Sequence, residues 1–343
     1  MLRPALSSLL NRWGLRRPAP VTPHPGPLAS AARLLTTGCA AASLSAVAAE
    51  HWPMHWSGTV AWLLGLASHW QWLYLAVGGL AGLLWLVLGR KRALLALAVL
   101  VFAWSRYSPA APEAAPAAAG EAAVLRVGSA NLYVGTTDFT ALQAWLLGPA
   151  APDVVFLQEY TPAAEAAVST PGVLARYPHR LLAAAEDPFG LALLSRFPLV
   201  QAAPLLPKDR RHTRRLRAVL DWQGRPVAVS AVHPMPPFNA EFMAARDAAF
   251  REEAGWLQAT SSLAVLAGDL NDTPWSTGMR GVAPGLRRAT GLAPTWPSLG
   301  GWLSVLPLDH VLVSPAWRRG APQGGASLGS DHRAVVVDLM PSL

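Results

Sequence analysis

Cysteine and acidic side chains are what this chain of 343 residues is short of. Its one cysteine, Cys39, excludes an internal disulfide, and a chain this long can bury enough apolar surface to fold without one. Charged residues make up 14% of the sequence, against ~25% in an ordinary soluble protein. The shortfall is local. Residues 51–112 contain no Asp or Glu, and their only charges are Arg90, Lys91, Arg92 and Arg106. A soluble domain rarely runs so far without acids, so the first third is expected to be embedded in a membrane. The formal net charge of +8 suits anionic partners such as phosphates, nucleic acid or acidic lipid. Part of that excess lies in N-terminal arginines and in Arg90–Arg92, where membrane topology accounts for it equally well.

The apolar segments are present where the acids are absent. Residues 68–89 carry no charge and include LYLAVGGLAGLLWLVLG, close to the ~20 apolar residues a bilayer crossing needs. Trp70, Trp72 and Tyr74 at one end and Arg90–Arg92 at the other predict a helix running from outside to inside. Residues 93–107 and the Ala-rich 31–50 are weaker spans, the latter preceded by Arg3, Arg12, Arg16, Arg17 and Arg33. A leader peptide is the alternative for the first segment. Three spans make residues 1–107 a multi-pass region of the cell (inner) membrane and put the remainder of the chain outside the cytoplasm; two would put it inside. Residues 108–123, SPAAPEAAPAAAGEAA, form a Pro/Ala tether.

From residue 124 onward, short apolar runs alternate with helical segments. Strands are predicted at 124–130, 154–158, 190–195, 218–222, 227–232, 264–267, 310–313 and 334–339, several of them apolar throughout, as strands buried on both faces are. Helices are predicted at 139–147, 162–168 and 240–258, the last with Phe242, Ala245, Ala249 and Trp256 on one face. The pattern is that of an α/β domain with strands enough for two sheets.

Polar residues cluster where these strands end. Asn131 and Glu159 each close one strand, Asp269 and Asn271 a third; Asp309 opens another, and Asp331–His332 lead into the last. Strand ends in α/β proteins surround a common crevice. Several carboxylates sharing a crevice repel one another and raise each other's pKa, a conflict that a divalent cation removes. Hard oxygen donors without thiolates favour Mg²⁺, Mn²⁺ or Ca²⁺ over zinc.

The ordered set SAN (129–131), LQE (157–159), GLALLSRFPL (190–199), VHPMPP (232–237), GDLNDTP (268–274), LDHVLVS (308–314) and GSDH (329–332) resembles the endonuclease/exonuclease/phosphatase superfamily, whose members include DNase-I-like nucleases, inositol polyphosphate phosphatases and neutral sphingomyelinases. The resemblance implies a four-layer α-β-β-α sandwich over residues 124–343, here in a membrane-anchored, bacterial-type member. It also implies hydrolysis of a phosphodiester or phosphomonoester by in-line attack of water, with Mg²⁺, or Mn²⁺ in its place, as cofactor. Glu159, Asn131 and Asp331 would form the metal side. Asp269 would activate the water, Asn271 hold a phosphate oxygen, and His332, oriented by Asp309, bind the scissile phosphate or serve as acid/base. His233 would contact the phosphate or help protonate the leaving group.

The expected partners are the bilayer and a phosphoester substrate: a lipid head group, a nucleic acid or a phosphorylated small molecule. No protein partner is predicted. A metal-dependent nuclease acting on DNA or RNA is the alternative enzyme. A receptor or scaffold on the same fold predicts broken catalytic positions, and none of the eight is replaced by an inert residue. A transporter lacks intramembrane carboxylates to line a path. The basic run KDRRHTRRLR (208–217) reads either as a platform for an anionic partner or as a solvated hairpin flank. Arg196, Arg246, His179 and His212 are expected at the surface, and Trp275 either beside the pocket or in the core. The tryptophans between Trp52 and Trp104 are expected to be interfacial anchors.

Overall fold

The computed structural model describes residues 26–52, 55–107, 123–207, 209–281, 285–298, 304–320 and 325–342. The early arginines up to Arg17, most of the Pro/Ala tether and Lys208 lie outside the described residues.

The strands form two six-stranded sheets. In the first, β1 (Leu125–Asn131) pairs in parallel with β2 (Val154–Gln158). Around them lie β3 (His179–Ala183) and β4 (Leu191–Ser195) on one side, and β11 (Trp317–Arg319) and β12 (Val335–Pro341) on the other, in the order β11-β12-β1-β2-β4-β3. The second sheet has the order β5-β6-β7-β8-β10-β9, from β5 (Leu199–Leu205), β6 (Arg215–Trp222), β7 (Arg225–Val232), β8 (Leu263–Asp269), β9 (Arg287–Arg288) and β10 (Asp309–Val313). There β7 and β8 are the parallel pair.

Period-two alternation sorts the side chains of each central strand. Val154 and Phe156 of β2 turn inward, against Leu216, Val229, Val265 and Val311 of the facing sheet. Val155 and Leu157 turn outward, against Leu142 and Leu146 of α6 (Thr140–Leu147), Val168 of α7 (Pro162–Val168) and Val173 of α8 (Pro171–Arg176). The second sheet is covered on its outer face by α9 (Ala240–Thr260) and α10 (Thr277–Gly281) through Phe250, Leu257 and Met279. The result is a four-layer α-β-β-α sandwich of the DNase-I-like type. The predicted strands all form, with their ends shifted by a few residues, while β3, β5, β9 and β11 were not foreseen. β5 is mostly exposed and β3 only half-buried, so neither shows the apolar runs that mark the central strands.

The helix of 240–260 buries a different face from the one predicted: Met243, Arg246, Phe250, Glu253, Ala254 and Leu257. Arg246, expected at the surface, is buried. Its Nη1 donates to the Asn271 carbonyl at 2.9 Å and lies 3.2 Å from Asp272 Oδ1. The periodicity misled because a buried ion pair reads as a polar stripe.

Before the sandwich stand α1 (Pro27–Ser43) and α2 (Ser45–His51), α3 (Gly58–Ser68), α4 (Gln71–Val87) and α5 (Ala93–Tyr107). Residues 27–51 form a stretch long and apolar enough to cross a bilayer; α3 and α4 pass that test only together, bent by 62°, and α5 is shorter. The helices meet through small side chains. Ala32, Ala40 and Ala96 pack with Trp85 and Leu100, and a Cβ on Gly78 would stand 2.9 Å from Leu100.

Candidate active site

Both parallel pairs end on the same edge of the sandwich, and β10 and β12, running antiparallel to their neighbours, begin there. The register pairs Asp309 directly with Asp269 across β10 and β8. The eight residues singled out from the sequence therefore lie on one rim, and most face one another.

Asp269 is the hub. Its Oδ2 accepts a hydrogen bond from Asn131 Nδ2 at 3.0 Å and stands 3.5 Å from both His233 Nε2 and His332 Nε2. Its Oδ1 accepts the Asn271 backbone N–H at 2.9 Å. Asn131 also donates to Glu159 Oε1 at 3.0 Å, and the Val134 N–H reaches Glu159 Oε2 at 2.6 Å. His332 Nδ1 donates to Asp309 Oδ2 at 2.8 Å, which fixes its tautomer. His233 Nδ1 donates to the Pro188 carbonyl at 3.0 Å, leaving Nε2 for the site. Asn131, His233, Asp269, Asp309 and His332 are all buried.

Two members also hold partners of their own. Asn271 spends one amide N–H on the Pro234 carbonyl at 3.0 Å, so it braces the loop after β7 as well as facing the cleft. Asp331 lines the cleft and accepts from the Trp296 indole at 3.3 Å, set apart from the Asn131–Glu159 pair in hydrogen bonding.

The backbone here is under strain. Glu159 and Asn271 sit at φ +52 and +47, in the left-handed region, which costs a non-glycine residue roughly 1–2 kcal/mol. Asn tolerates the conformation; Glu159 is kept there by the Val134 contact and by flanking ladder bonds, Leu132 N–H to the Gln158 carbonyl and Tyr160 N–H to the Gly190 carbonyl, both 3.0 Å. Gly190 packs its Cα on the Tyr160 carbonyl, where any Cβ would collide.

Charge in the site is ordered by its neighbours. Burial opposes ionisation of Asp269, but His332 and His233 outweigh it and hold the carboxyl well below its usual range. Burial likewise disfavours charge on His332, yet Asp309 and Asp269 push its pKa up to about 10. His233 is shifted upward too, its burial outweighed by Asp269. A buried carboxylate thus lies between two imidazoles and shifts both toward their charged forms.

The donor chemistry fits a hard divalent cation. Glu159 and Asp331 are half-buried carboxylates on the cleft with the Asn131 amide behind, and no thiolate is near. Asp269, Asp309 and His332 form a second compact group whose ligand atoms lie within 4.8 Å of one another; the short His332–Asp309 hydrogen bond makes that pair an orienting dyad. Sequence reasoning missed the aromatic walls. Phe189 lies 5.7 Å from His233 and Trp296 lies 6.4 Å from His332, ring centre to ring centre. Proline-flanked aromatics beside the motifs, DPFG and PTWP, were the available signal.

A sandwich with histidines and carboxylates gathered on this rim defines a phosphoester hydrolase. The chain belongs to the endonuclease/exonuclease/phosphatase family, whose model matches residues 128–332. Among solved structures it is similar to an endonuclease/exonuclease/phosphatase from Beutenbergia cavernae DSM 12333 (23% identity, 64% of this chain and 72% of that one, TM-score 0.51). It is also similar to the protein of that name from Bacteroides vulgatus (14% identity, 64% and 100%, TM-score 0.53), and to a humanized D. rerio TDP2 (16% identity, 63% and 98%, TM-score 0.52). No curated protein matches.

Proposed function

We propose that this chain is a membrane-anchored, Mg²⁺-dependent hydrolase that cleaves a phosphoester by in-line attack of water, with its catalytic domain outside the cytoplasm. The observation that carries the chemistry is the convergence of Asn131 and two histidine Nε2 atoms on one oxygen of Asp269.

The residues divide the work. Asp269, held ionised, takes a proton from the attacking water, while Asn131 and the Asn271 N–H fix its orientation. His332, protonated and aimed by Asp309, donates to a phosphoryl oxygen where negative charge builds. His233 offers a second N–H to the phosphate or the leaving oxygen. Glu159, Asn131 and Asp331 are the residues that would hold Mg²⁺. When bound, the ion would neutralise charge on the phosphoryl and leaving oxygens.

The anchoring rests on which helix ends touch the catalytic domain. Glu50 beyond α1 meets Arg280 at 3.4 Å, His69 before α4 meets Thr273 at 2.9 Å, and Trp104 near the end of α5 packs at a tilt against Trp275, ring centres 5.8 Å apart. Arg90, Lys91 and Arg92 lie in the α4–α5 turn, away from these three points. These contacts support an up-down-up bundle with its basic turn inside. Large apolar side chains on its flanks, such as Leu80 and Val87, are open to the surroundings, as lipid-facing residues are.

The purified chain should hydrolyse a soluble phosphodiester with Mg²⁺, lose activity in excess chelator and regain it on adding Mg²⁺. Asp269→Asn should lower kcat by ~100-fold or more. Activity surviving either treatment refutes the mechanism. A reporter fused after residue 115 tests sidedness: cytoplasmic reporter activity there overturns the topology.

A further inference from the structure

Part of the catalytic cleft is built by the helical region. Leu66 near the end of α3, and His69 and Trp70 in the turn before α4, line the same cavity of about 480 Å³ as Glu159, Asp269 and His332. The end of α3 and this turn are together fastened to both catalytic loops. His69 Nδ1 lies 2.9 Å from Thr273 Oγ1, four residues beyond Asp269. Trp62 Nε1 donates to the Pro237 carbonyl at 2.7 Å, four residues beyond His233. Gly65 faces Met243 of α9 so closely that a Cβ there would stand 2.8 Å from its sulfur. The contacts fall where the catalytic side chains are positioned, so the turn is a fixed wall.

That wall is the wrong chemistry for a wholly polar ligand. Leu66, Trp70, Phe189, Phe238 and Leu306 line the cavity beside the carboxylates and histidines. A sugar or a second phosphate lying there would give up water hydrogen bonds and find few partners. Hydrocarbon would lose nothing. Phe238 on the rim is 68% exposed. From the same wall α4 runs on for 17 residues without a charge, with Leu80 and Val87 72% and 82% exposed. A bilayer surrounding α4 therefore begins beside the mouth of the cleft. The basic run offers a nucleic acid less than its sequence suggests, because Arg215 and Arg217 are engaged by Glu252 and Glu253.

We infer that the cleft takes an amphiphilic phosphoester from the bilayer, with its phosphate at Asp269 and His332 and its hydrocarbon along Leu66, Trp70 and Phe238. This deepens the hydrolase reading above and rests on it. The oxygen of water forms the new P–O bond and gives its proton to Asp269. The ester oxygen leaves with the electron pair of the broken P–O bond and takes a proton from an imidazolium.

The test uses the full chain in detergent micelles with Mg²⁺ and p-nitrophenyl phosphodiesters whose second ester is methyl, hexyl or hexadecyl, beside a single-stranded oligonucleotide. From methyl to hexadecyl, kcat/KM should rise by at least ~10-fold, the scale that burying several methylenes allows. Trp70→Ser and Phe238→Ser should each lower the hexadecyl-to-methyl ratio by ~5-fold or more. Phe238 is a surface side chain, so its replacement tests the wall without risking the fold. A flat series with measurable hydrolysis overturns this inference alone, as does a ratio unchanged in both variants or an oligonucleotide that is the best substrate. No hydrolysis of any ester overturns the hydrolase reading and this one with it.

Discussion

The site is a set of residues each made effective by a neighbour. Asp309→Asn keeps the shape of the dyad but removes the charge that holds His332 protonated and in one tautomer. We expect kcat to fall by roughly 100-fold or more, with little change in substrate binding, measured by steady-state kinetics with Mg²⁺ saturating. Stability should carry the same signature in chelator-treated protein. The His332 pKa rises from 6.5 to about 10 on folding, so its contribution is complete below pH 6.5 and is lost as pH climbs toward 10. His310 goes the other way. Burial, helped by Arg288, takes it to about 3, so its contribution is present above pH 6.5 and lost as pH falls toward 3. Melting temperature against pH should decline on both sides, and His332→Gln should flatten the alkaline limb; an unchanged alkaline limb would refute the assignment. Asp309 and His332 were legible in the sequence because each opens or leads into an apolar strand, whereas His310 was not singled out. Arg246 was not legible, since its adjacent partner Asp247 could equally serve a solvated guanidinium, and the partners that mark it as buried, Asp272 and the Asn271 carbonyl, are 25 or 26 positions away.

At the scale of elements, the join between α9 and the second sheet is electrostatic. Glu253 is fully buried and accepts from Arg215 at 2.5 Å, from Arg217 at 2.9 Å and from Ser230 at 2.7 Å. Glu253→Ala strands these donors in a half-buried seam and should cost about 3–5 kcal/mol in chemical denaturation. Glu252→Ala, with its side chain half in solvent, should cost less than ~1 kcal/mol. Equal costs would show that the seam does not depend on burial. A second element-level constraint is the approach of β8 to the end of β7, where a Cβ on Gly268 would collide with the Val232 carbonyl. Gly268→Ala should destabilise by roughly 1–3 kcal/mol and displace Asp269, lowering activity further than the stability loss explains. The central strands were legible from apolar runs, and the edge strands were not, because an exposed strand such as β5 has no buried face to pattern it.

For the molecule as a whole, the α/β class and the two-sheet architecture came from strand count and from the family motifs. The pairing order of the strands did not, since it depends on contacts far apart in sequence. Nor did the docking of the helices. The sequence reads residues 68–89 as one span, and only the fold shows the break between Ser68 and Gln71 and His69 reaching Thr273. A fragment of residues 123–343 should accordingly melt below the full chain and bind an apolar dye such as ANS, because it uncovers Met243 and the cleft wall. A fragment as stable as the full chain would mean that the helical layer rests on the domain without supporting it.

The fastening of the helical turn to both catalytic loops has a bearing on biogenesis. The helices leave the ribosome first, so the catalytic domain condenses onto a surface already in place. On the anchored reading proposed above, a copy that failed to insert would have its helices unplaced and one side of its cleft missing. Phosphoester cleavage would then be licensed by correct insertion, and stray copies would be poor at attacking the cell's own esters before reaching their destination.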